Sequence, residues 1–308
     1  MAVLSIQSHV SYGYAGNTAA VFPMQKLGRE VWAVNTVEFS NHTGYGAWRG
    51  KVLGGELVEE LVTGLEERGV LSGCEAVLSG YMGDATVANA IAGAVKRVQA
   101  AKASSLQPAK TPTVSPKALY CCDPVMGDVG RGIYVRPDIP DMFKNDLIPL
   151  ADIVTPNEFE LETLTGIKIQ GLDDAKRAAA ILHEKGPGIV LVTSYRGGES
   201  PVGGSPQIGM LVSDKTGYYL VKTPELPITT LLAGSGDLTS AVFLSRYLET
   251  GDVKKSLELC AASIFSILQV SWKAFLDAGA TAKIMELRII QAQNELDKPS
   301  LSFKACRV

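Results

Sequence analysis

Short apolar runs alternate with helix-like stretches along most of this chain, and no other feature constrains its fold as strongly. The apolar runs are residues 3–6, 31–34, 76–78, 118–122, 153–154 and 189–192. The helix-like stretches between them are residues 56–69, 84–102, 158–166 and 172–186. Such short apolar runs are typical of strands that are buried on both faces. Their alternation with helices predicts right-handed βαβ crossovers and an α/β fold with a mostly parallel central sheet flanked by helices.

The second half of the chain departs from this alternation. Residues 208–213 and 218–222 are separated by a polar four-residue turn that ends in glycine, which predicts a β-hairpin at one edge of the sheet. Two stretches, 238–249 and 253–276, are apolar on several faces and predict two well-buried helices. The tail, residues 280–308, is predicted to form one more amphipathic helix and a frayed end.

The composition is that of a globular protein with a large core, since 46% of the 308 residues are hydrophobic and 20% are charged. Because α/β folds of this length often form one domain, we expect a single domain over residues 1–308. Residues 104–117 are rich in Ser, Pro and Lys and predict a surface insertion, and residues 197–207 predict a second surface segment. The net charge of −3 argues against broad nucleic-acid or anionic-membrane partners.

Features of secretion or membrane insertion are missing from the sequence. The N-terminus lacks the basic region of a signal peptide. The longest apolar run, about residues 259–272, is interrupted by polar residues and is shorter than the ~18 to 20 residues that span a bilayer, so it predicts a buried core helix. The five cysteines have no metal-binding spacing and are predicted to be free thiols, which favours a reducing, cytoplasmic location.

Polar residues follow the predicted strands. In an open α/β sheet, ligands bind just beyond the carboxyl ends of the strands. The residues that follow the apolar runs are 7–9, 35–36, 79–81, Asp123, 155–157 and 193–194, and nearly all of them are small or polar. Polar strand ends are common in any α/β protein. Several that converge on one edge of a sheet nevertheless predict a polar cleft.

The sharpest local motif is residues 234–237 (GSGD), directly before the predicted helix 238–249. Glycines there allow positive φ angles, and a helix N-terminus favours a phosphate or the oxyanions of a transferring phosphoryl group. Asp237 is a candidate general base for an alcohol. The alternative is that Asp237 only caps the helix, since the motif is short. The sequence has no Walker motif, and the glycines of residues 13–16 are too sparse for a dinucleotide-binding fingerprint.

Two further stretches carry acids at predicted strand ends. Residues 123–128 (DPVMGD) and 157–160 (NEFE) each follow a strand, and carboxylates there suit Mg²⁺ held through waters and substrate phosphates. The alternative for either stretch is surface acids and a helix N-cap. The glycine-rich residues within about 124–134 predict a flap over a ligand, in which Arg131 either meets phosphates or is solvated.

Residues 38–48 (EFSNHTGYGAW) are dense in aromatic and polar side chains, and we predict that they lie outside the strands. This combination suits recognition of a flat polar ring. The alternative is a loop whose aromatic residues only cover the core, with His42 as a hydrogen-bonded structural histidine.

Several separated motifs in the same order make the chain resemble the pyridoxal kinases of the ribokinase-like superfamily. The motifs are SIQSHV (5–10), FSNHTGY (39–45), SGY (79–81), CDPVMGD (122–128), TPNEFE (155–160) and GSGD (234–237). The match runs from about residue 3 to about residue 300, and its first two motifs separate this family from sugar kinases. The resemblance implies a ribokinase-like three-layer sandwich and an enzyme that uses ATP to phosphorylate the 5′-hydroxyl of pyridoxal or a close B6 vitamer.

The resemblance also implies the roles of individual residues. Contacts to the pyridine ring are implied for Ser8, Thr43 and Tyr81, with His42 beside them. Nucleotide-side roles are implied for Asp123, Asp128, Tyr134, Thr155, Asn157, Glu160, Thr193 and Ser194, with Asp123 and Glu160 as the metal-side acids. Gly234, Ser235 and Gly236 match the anion hole, and Asp237 matches the catalytic base. Serine is unusual between these glycines, but the backbone amide is the donor there, so we expect little effect.

Cofactors and partners follow from the same resemblance. Similar proteins use MgATP, are often helped by a monovalent cation such as K⁺, and are usually homodimers. A hydroxymethylpyrimidine kinase is an alternative with the same fold and chemistry, although Ser8 and residues 41–43 favour pyridoxal. A catalytically silent vitamer-binding protein is a second alternative, but it has no need of a base at Asp237. A dehydrogenase would carry the glycine fingerprint that this sequence lacks.

Overall fold

A computed structural model of the chain describes residues 2–105, 117–197 and 206–308. Its strands are β1 (Ala2–Tyr12), β2 (Glu30–Asn41), β3 (Gly50–Val52), β4 (Cys74–Ser79), β5 (Leu119–Cys122), β6 (Gly127–Asp128), β7 (Gly132–Ile133), β8 (Ile153–Val154), β9 (Ile189–Tyr195), β10 (Gln207–Asp214), β11 (Gly217–Pro224), β12 (Leu231–Leu232), β13 (Ile284–Met285) and β14 (Cys306–Arg307). Its α-helices are α1 (Asn17–Lys26), α2 (Gly55–Glu67), α3 (Thr86–Ser105), α4 (Ile139–Met142), α5 (Glu158–Thr165), α6 (Leu172–Lys185), α7 (Ser235–Thr250), α8 (Val253–Asp277) and α9 (Asn294–Asp297). The predicted surface segments 104–117 and 197–207 lie almost entirely outside the described residues.

One large sheet organises the molecule. Its ten strands lie in the order β14-β11-β10-β9-β8-β5-β4-β1-β2-β3. The central strands, from β9 to β2, run parallel to one another. Antiparallel strands extend both edges, with β3 on one side and β10, β11 and β14 on the other. Asp214 lies opposite Gly217 in the β10–β11 hairpin. The predictions of a mostly parallel sheet and of this hairpin are confirmed.

Helices cover both faces of the sheet. Successive residues of a strand point to opposite faces. In β1, Leu4 and Ile6 are therefore buried with α2, α3, α5 and α6, whereas Val3 is buried with α1, α7 and α8. Burial on both faces explains why these strands read as continuous apolar runs. The fold is a three-layer α/β sandwich, as the resemblance implied.

Helix α8 is long and apolar enough to cross a membrane by length and composition, and it is the one such helix in the described parts of the chain. It instead buries Leu257, Cys260 and Ile264 in the same apolar cluster as α1 and α7. It also contacts α7, β10 and β11. This arrangement confirms the prediction of a buried core helix.

The N-terminus of α8 is capped by Asp252, whose Oδ1 accepts a hydrogen bond of 2.9 Å from the backbone amide of Lys255. Because Asp252→Ala leaves this amide without its side-chain acceptor, we expect the free energy of unfolding to fall by about 1 kcal/mol in urea titrations. Asp252→Asn keeps an acceptor oxygen and is expected to retain most of the stability. Equal losses in the two variants would show that charge, rather than capping, is what matters at this position.

Strands β1 and β2 are much longer than their apolar runs. Beyond a bulge between Gln7 and His9, the two strands continue to pair, with His9 opposite Glu38. This pairing provides hydrogen-bond partners for the backbone N–H and C=O groups of residues whose polar side chains gave no strand signal in the sequence. The prediction that residues 38–48 lie outside the strands is wrong for the first four of them, which belong to β2.

The prediction for the tail is also wrong. In place of a long amphipathic helix, residues 280–308 contain β13, the single-turn helix α9 and β14. Strand β13 pairs with β12, and β14 pairs with β11 at the edge of the sheet. Each of these two-residue strands depends on a partner far away in the sequence, so local periodicity does not reveal it.

Candidate active site at the carboxyl ends of the strands

A cavity of about 860 Å³ opens at the carboxyl ends of the parallel strands. All of the site residues predicted from the sequence contribute to its lining, which includes Ser8, His42, Thr43, Tyr81, Asp123, Asp128, Tyr134, Thr155, Asn157, Glu160, Thr193, Ser194, Gly234, Ser235, Gly236 and Asp237. The cavity therefore brings together residues that are up to 229 positions apart in the chain, from Ser8 to Asp237. The predicted convergence of polar strand ends is confirmed for five of the six strand ends, whereas residues 35–36 do not line the cavity.

Asp237 lies in the first turn of α7, which begins after Gly234 in the left-handed conformation with φ of 78°. Its Oδ2 accepts a hydrogen bond of 2.8 Å from the backbone amide of Gly16. Gly234 makes no side-chain cap for this helix. Burial raises the pKa of Asp237, and the Gly16 amide opposes that shift. The carboxylate thus links two distant segments, which the simple capping alternative did not predict.

Asp123 is buried at the end of β5, deeper in the same cavity, with 3% of its surface exposed. Its Oδ2 accepts a 2.9 Å hydrogen bond from Ser240 Oγ on α7, and Ser240 Oγ lies 2.8 Å from Thr155 Oγ1. Burial raises the pKa of Asp123 well above its usual value, and the nearby Asp237 carboxylate raises it further. Ser240 and Thr155 therefore hold an acid in a place where ionisation is disfavoured.

Glu160 forms a capping box with Asn157 at the start of α5. Its Oε2 accepts the Asn157 amide, and its Oε1 accepts the Met126 amide, both at 2.9 Å. The N-cap alternative is therefore correct for this stretch, although both residues also line the cavity. Burial raises the pKa of Glu160 well above its usual value, and Asp123 raises it further.

The two buried acids fit a divalent cation. No Lys, Arg or His in the described residues forms an ion pair with Asp123 or Glu160. The described chain also contains no group of three or more His, Cys, Asp or Glu residues placed to enclose a metal. Two carboxylates without such an enclosure suit a magnesium ion that takes its other ligands from water and substrate phosphates.

A small antiparallel ribbon, β6–β7, lies over this side of the cavity and corresponds to the predicted flap at about 124–134. Asn157 Nδ2 donates a 2.8 Å hydrogen bond to the carbonyl of Gly127 at the base of the ribbon. At its tip, Arg131 pairs with Asp128 at 3.2 Å and lies over the Tyr134 ring, 4.8 Å from its centroid. Arg131 is therefore held by its neighbours rather than freely solvated.

His42 and Thr43 also line the cavity, at the start of a 3₁₀ turn over Thr43–Tyr45 that we call the substrate loop. His42 Nδ1 accepts a 3.0 Å hydrogen bond from the Gly44 amide. Burial lowers the pKa of His42, and Arg131 lowers it further. Because Nδ1 accepts the Gly44 amide, a neutral His42 ring carries its proton on Nε2. His42 is thus a structural cap, as the alternative proposed, and it also lines the cavity.

The part of the cavity for which the sequence predicts nucleotide contacts is formed by the ends of β8 and β9 and by the hairpin. Thr193 forms a bridge with Asn157, and Ser194 takes an unusual positive φ of 54°. The hairpin contributes apolar side chains such as Met210 and Val221 to the cavity. Polar strand ends beside an apolar slot suit a ligand with a phosphate group and a flat base.

Comparisons with known proteins agree with this geometry. A protein-family model described as phosphomethylpyrimidine kinase matches residues 72–279. Pyridoxal kinase PdxY of Granulibacter bethesdensis is 47% identical over 309 residues, which cover 99% of each chain. Pyridoxal kinase PdxY of Rubrobacter xylanophilus is 47% identical over 99% of this chain and 97% of the relative. The chain belongs to the pyridoxal kinase family.

Solved structures of pyridoxal kinases have the same fold as this chain. The Leishmania donovani enzyme in complex with ADP and pyridoxine is 29% identical, has a TM-score of 0.86, and is matched over 99% of this chain and 98% of its own. The Trypanosoma brucei enzyme is 28% identical with a TM-score of 0.81, over 99% of both chains. The three-layer sandwich of this pyridoxal kinase is therefore the fold of its relatives.

The sequence analysis did not predict three residues that hold parts of the site in place. Gly16 was considered only as part of a sparse glycine motif, yet its amide binds Asp237. Ser240 is one turn after Asp237 on α7, a spacing that would have placed it on the same helix face. Glu286 lies in the tail that was predicted as helix, and no signal in the sequence would have found it.

Proposed function

We propose that this protein transfers the γ-phosphoryl group of ATP to the 5′-hydroxyl of pyridoxal, with Asp237 as the general base. The observation that carries the proposal is the position of Asp237. Its carboxylate lines the cavity at the N-terminus of α7 and is oriented by the Gly16 amide. The Leishmania donovani relative has been solved with ADP together with pyridoxine or pyridoxamine, which supports the same class of substrates here.

The proposed reaction is an in-line displacement. The 5′-hydroxyl attacks the γ-phosphorus while its proton moves to Asp237, and the bond from phosphorus to the bridging oxygen breaks to release ADP. Amides at the start of α7, after Gly234, face the charge that develops on the phosphoryl oxygens. The vitamer ring is assigned to the side of Ser8, Thr43 and Tyr81, and the ATP phosphates to the side of Thr193.

The acids on the nucleotide side are proposed to hold Mg²⁺. When bound, this ion supplies charge neutralisation for the ATP phosphates. Asp123 and Glu160 would hold it from the protein side, because both are buried, the charge of Asp123 raises the pKa of Glu160, and neither has a basic partner among the described residues. Activation by K⁺, the homodimer, the single domain and the cytoplasmic location stay predictions that rest on the family resemblance and the composition.

One observation favours a second candidate, a hydroxymethylpyrimidine kinase. The family model that matches residues 72–279 is described by a phosphomethylpyrimidine substrate. The curated relatives with 40–47% identity over 99% of this chain are instead named as pyridoxal kinases. Because those relatives match the whole chain, including the Ser8 and substrate-loop residues outside the family match, pyridoxal remains the first candidate.

The two candidates are separated by direct turnover. We expect purified protein with MgATP and K⁺ to release ADP with pyridoxal, and to release little with hydroxymethylpyrimidine in a parallel reaction. Formation of pyridoxal phosphate is followed by the near-ultraviolet absorbance of the product itself. Preferential turnover of the pyrimidine would move the substrate but keep the phosphoryl-transfer chemistry. Pyridoxal binding without turnover of either compound would favour a catalytically silent vitamer-binding protein.

A further inference from the structure

Glu286 lies outside the residues assigned to catalysis, yet the strand before it pairs with the segment that leads into α7 and Asp237. It follows β13, and β13 pairs in parallel with β12, placing Leu232 opposite Met285. Strand β12 ends at Leu232. Only Ala233 separates it from Gly234, which begins the turn that leads to Asp237. The tail of the chain is thus aligned with the segment that delivers the proposed base.

The two carboxylate oxygens of Glu286 accept hydrogen bonds from different segments. Oε2 accepts the backbone amide of Tyr14 at 3.2 Å, and Oε1 accepts the hydroxyl of Tyr45 at 2.7 Å. The backbone of Gly13 approaches so closely that a Cβ atom there would lie 2.6 Å from both oxygens. The carboxylate therefore lies between the residue 13–16 turn and the substrate loop.

The residue 13–16 turn touches the proposed catalytic machinery at two points. The amide of Gly16 binds Asp237 Oδ2 at 2.8 Å. The carbonyl of Tyr14 packs against Gly234 so tightly that a Cβ atom on that glycine would lie 2.2 Å away. A shift of Tyr14 would consequently move both the orienting amide and the turn before α7.

The substrate loop is the other segment that Glu286 holds. Tyr45 ends the 3₁₀ turn that Thr43 begins, and Thr43 lines the cavity. Within this loop, Gly44 packs against Leu231, because a Cβ atom there would lie 2.3 Å from Leu231 Cδ2. The loop, β12 and Glu286 therefore form one contiguous set of contacts.

We propose that Glu286 is a positioning residue that couples the placement of the substrate loop at the cavity to the orientation of Asp237. The inference rests on the proposed function, because it acts through the base and through the pyridine-ring side of the cavity. One carboxylate serves both segments, so its loss should weaken vitamer binding and slow the chemical step together. Loss of a single partner should affect one of these quantities alone.

Steady-state kinetics with pyridoxal and ATP test this coupling. For Glu286→Gln, which keeps the shape but offers one acceptor oxygen, we expect kcat to fall roughly 10-fold and the pyridoxal KM to rise about fivefold, as for loss of a hydrogen bond to a charged group. The KM for ATP should stay unchanged. For Tyr45→Phe, we expect a similar rise in pyridoxal KM with kcat retained. The double variant should show no higher pyridoxal KM than Glu286→Gln alone.

Glu295→Gln is the matched control. Glu295 also accepts a backbone amide, that of Ser300 at 2.7 Å, in the same C-terminal region but away from the cavity. This variant should keep wild-type kcat and KM, even if its melting temperature falls as much as that of Glu286→Gln.

Other outcomes overturn the inference. Wild-type kcat and pyridoxal KM in Glu286→Gln, or effects that add fully with those of Tyr45→Phe, would show that Glu286 does not couple the two segments. Equal kinetic losses in Glu295→Gln would show a general effect of the C-terminal region. Failure of the proposed function looks different, because the wild-type protein would then turn over hydroxymethylpyrimidine or neither compound, and failure of the base role alone would leave Asp237→Ala with near-normal turnover.

Discussion

Asp237→Ala lowers kcat by about 10² to 10⁴-fold, the range typical of a lost general base, while pyridoxal still binds; this is the largest effect that we expect. The reason is that the hydroxyl proton loses its acceptor, whereas the side of the cavity proposed to bind the pyridine ring is unchanged. Steady-state kinetics measure the loss of kcat, and equilibrium dialysis with pyridoxal measures binding.

A second substitution at the same position separates proton transfer from orientation. Asp237→Asn keeps an oxygen that can accept the Gly16 amide, which the wild-type carboxylate binds at 2.8 Å. If Asp237 acts as a base, the two variants should lose kcat to a similar extent. Near-normal turnover in Asp237→Asn would remove the base role and leave Asp237 as a structural link between α7 and the residue 13–16 turn.

Gly234→Ala is expected to lower kcat by about 100-fold, because a displacement of about 1 Å at reacting groups has effects of that size. Gly234 has a φ of 78°, and an added Cβ atom would lie 2.2 Å from the carbonyl oxygen of Tyr14. The backbone must therefore shift at the point where α7 presents its amides and Asp237. Kinetics report the loss of kcat, and urea titration reports the change in stability.

Gly251 offers a matched control at the other end of the same helix. It has a positive φ of 63°, but an added Cβ atom would meet nothing within 4 Å. Gly251→Ala therefore introduces backbone strain without a collision, and should reduce stability by roughly 1 kcal/mol with kcat preserved. If both variants lost kcat equally, strain in α7 rather than the contact with Tyr14 would explain the effect.

The parts of the fold that were predictable have local causes. Burial on both faces makes the central strands apolar throughout, and residues such as Val3 and Leu4 reveal this without any knowledge of their neighbours. The hairpin turn between Asp214 and Gly217 is likewise predicted by residues that are adjacent in the sequence. The positions that follow the apolar runs then place Asp123 and Thr193 at one edge of the sheet, because parallel strands share a direction.

The parts that were not predictable depend on distant partners. The hydrogen bond from Gly16 to Asp237 joins residues 221 positions apart. Strand β13 forms only because β12 lies beside it, and Glu286 acquires its neighbours from that pairing. The extension of β1 and β2 beyond their apolar runs has the same cause. Residue types at these positions are ordinary, so the sequence carried no signal for them.

Burial of Asp123 and Glu160 also affects the stability of the folded protein. A carboxyl group whose pKa is raised on folding contributes stability that is fully present below its ordinary pKa and is lost as the pH rises from that value through the raised one. Burial raises the pKa of both Asp123 and Glu160, so at neutral pH their ionised forms oppose folding of the empty protein. A cation held between them, as proposed above, would stabilise the folded protein, whereas replacing both acids with neutral side chains would raise its stability and remove the proposed cation site.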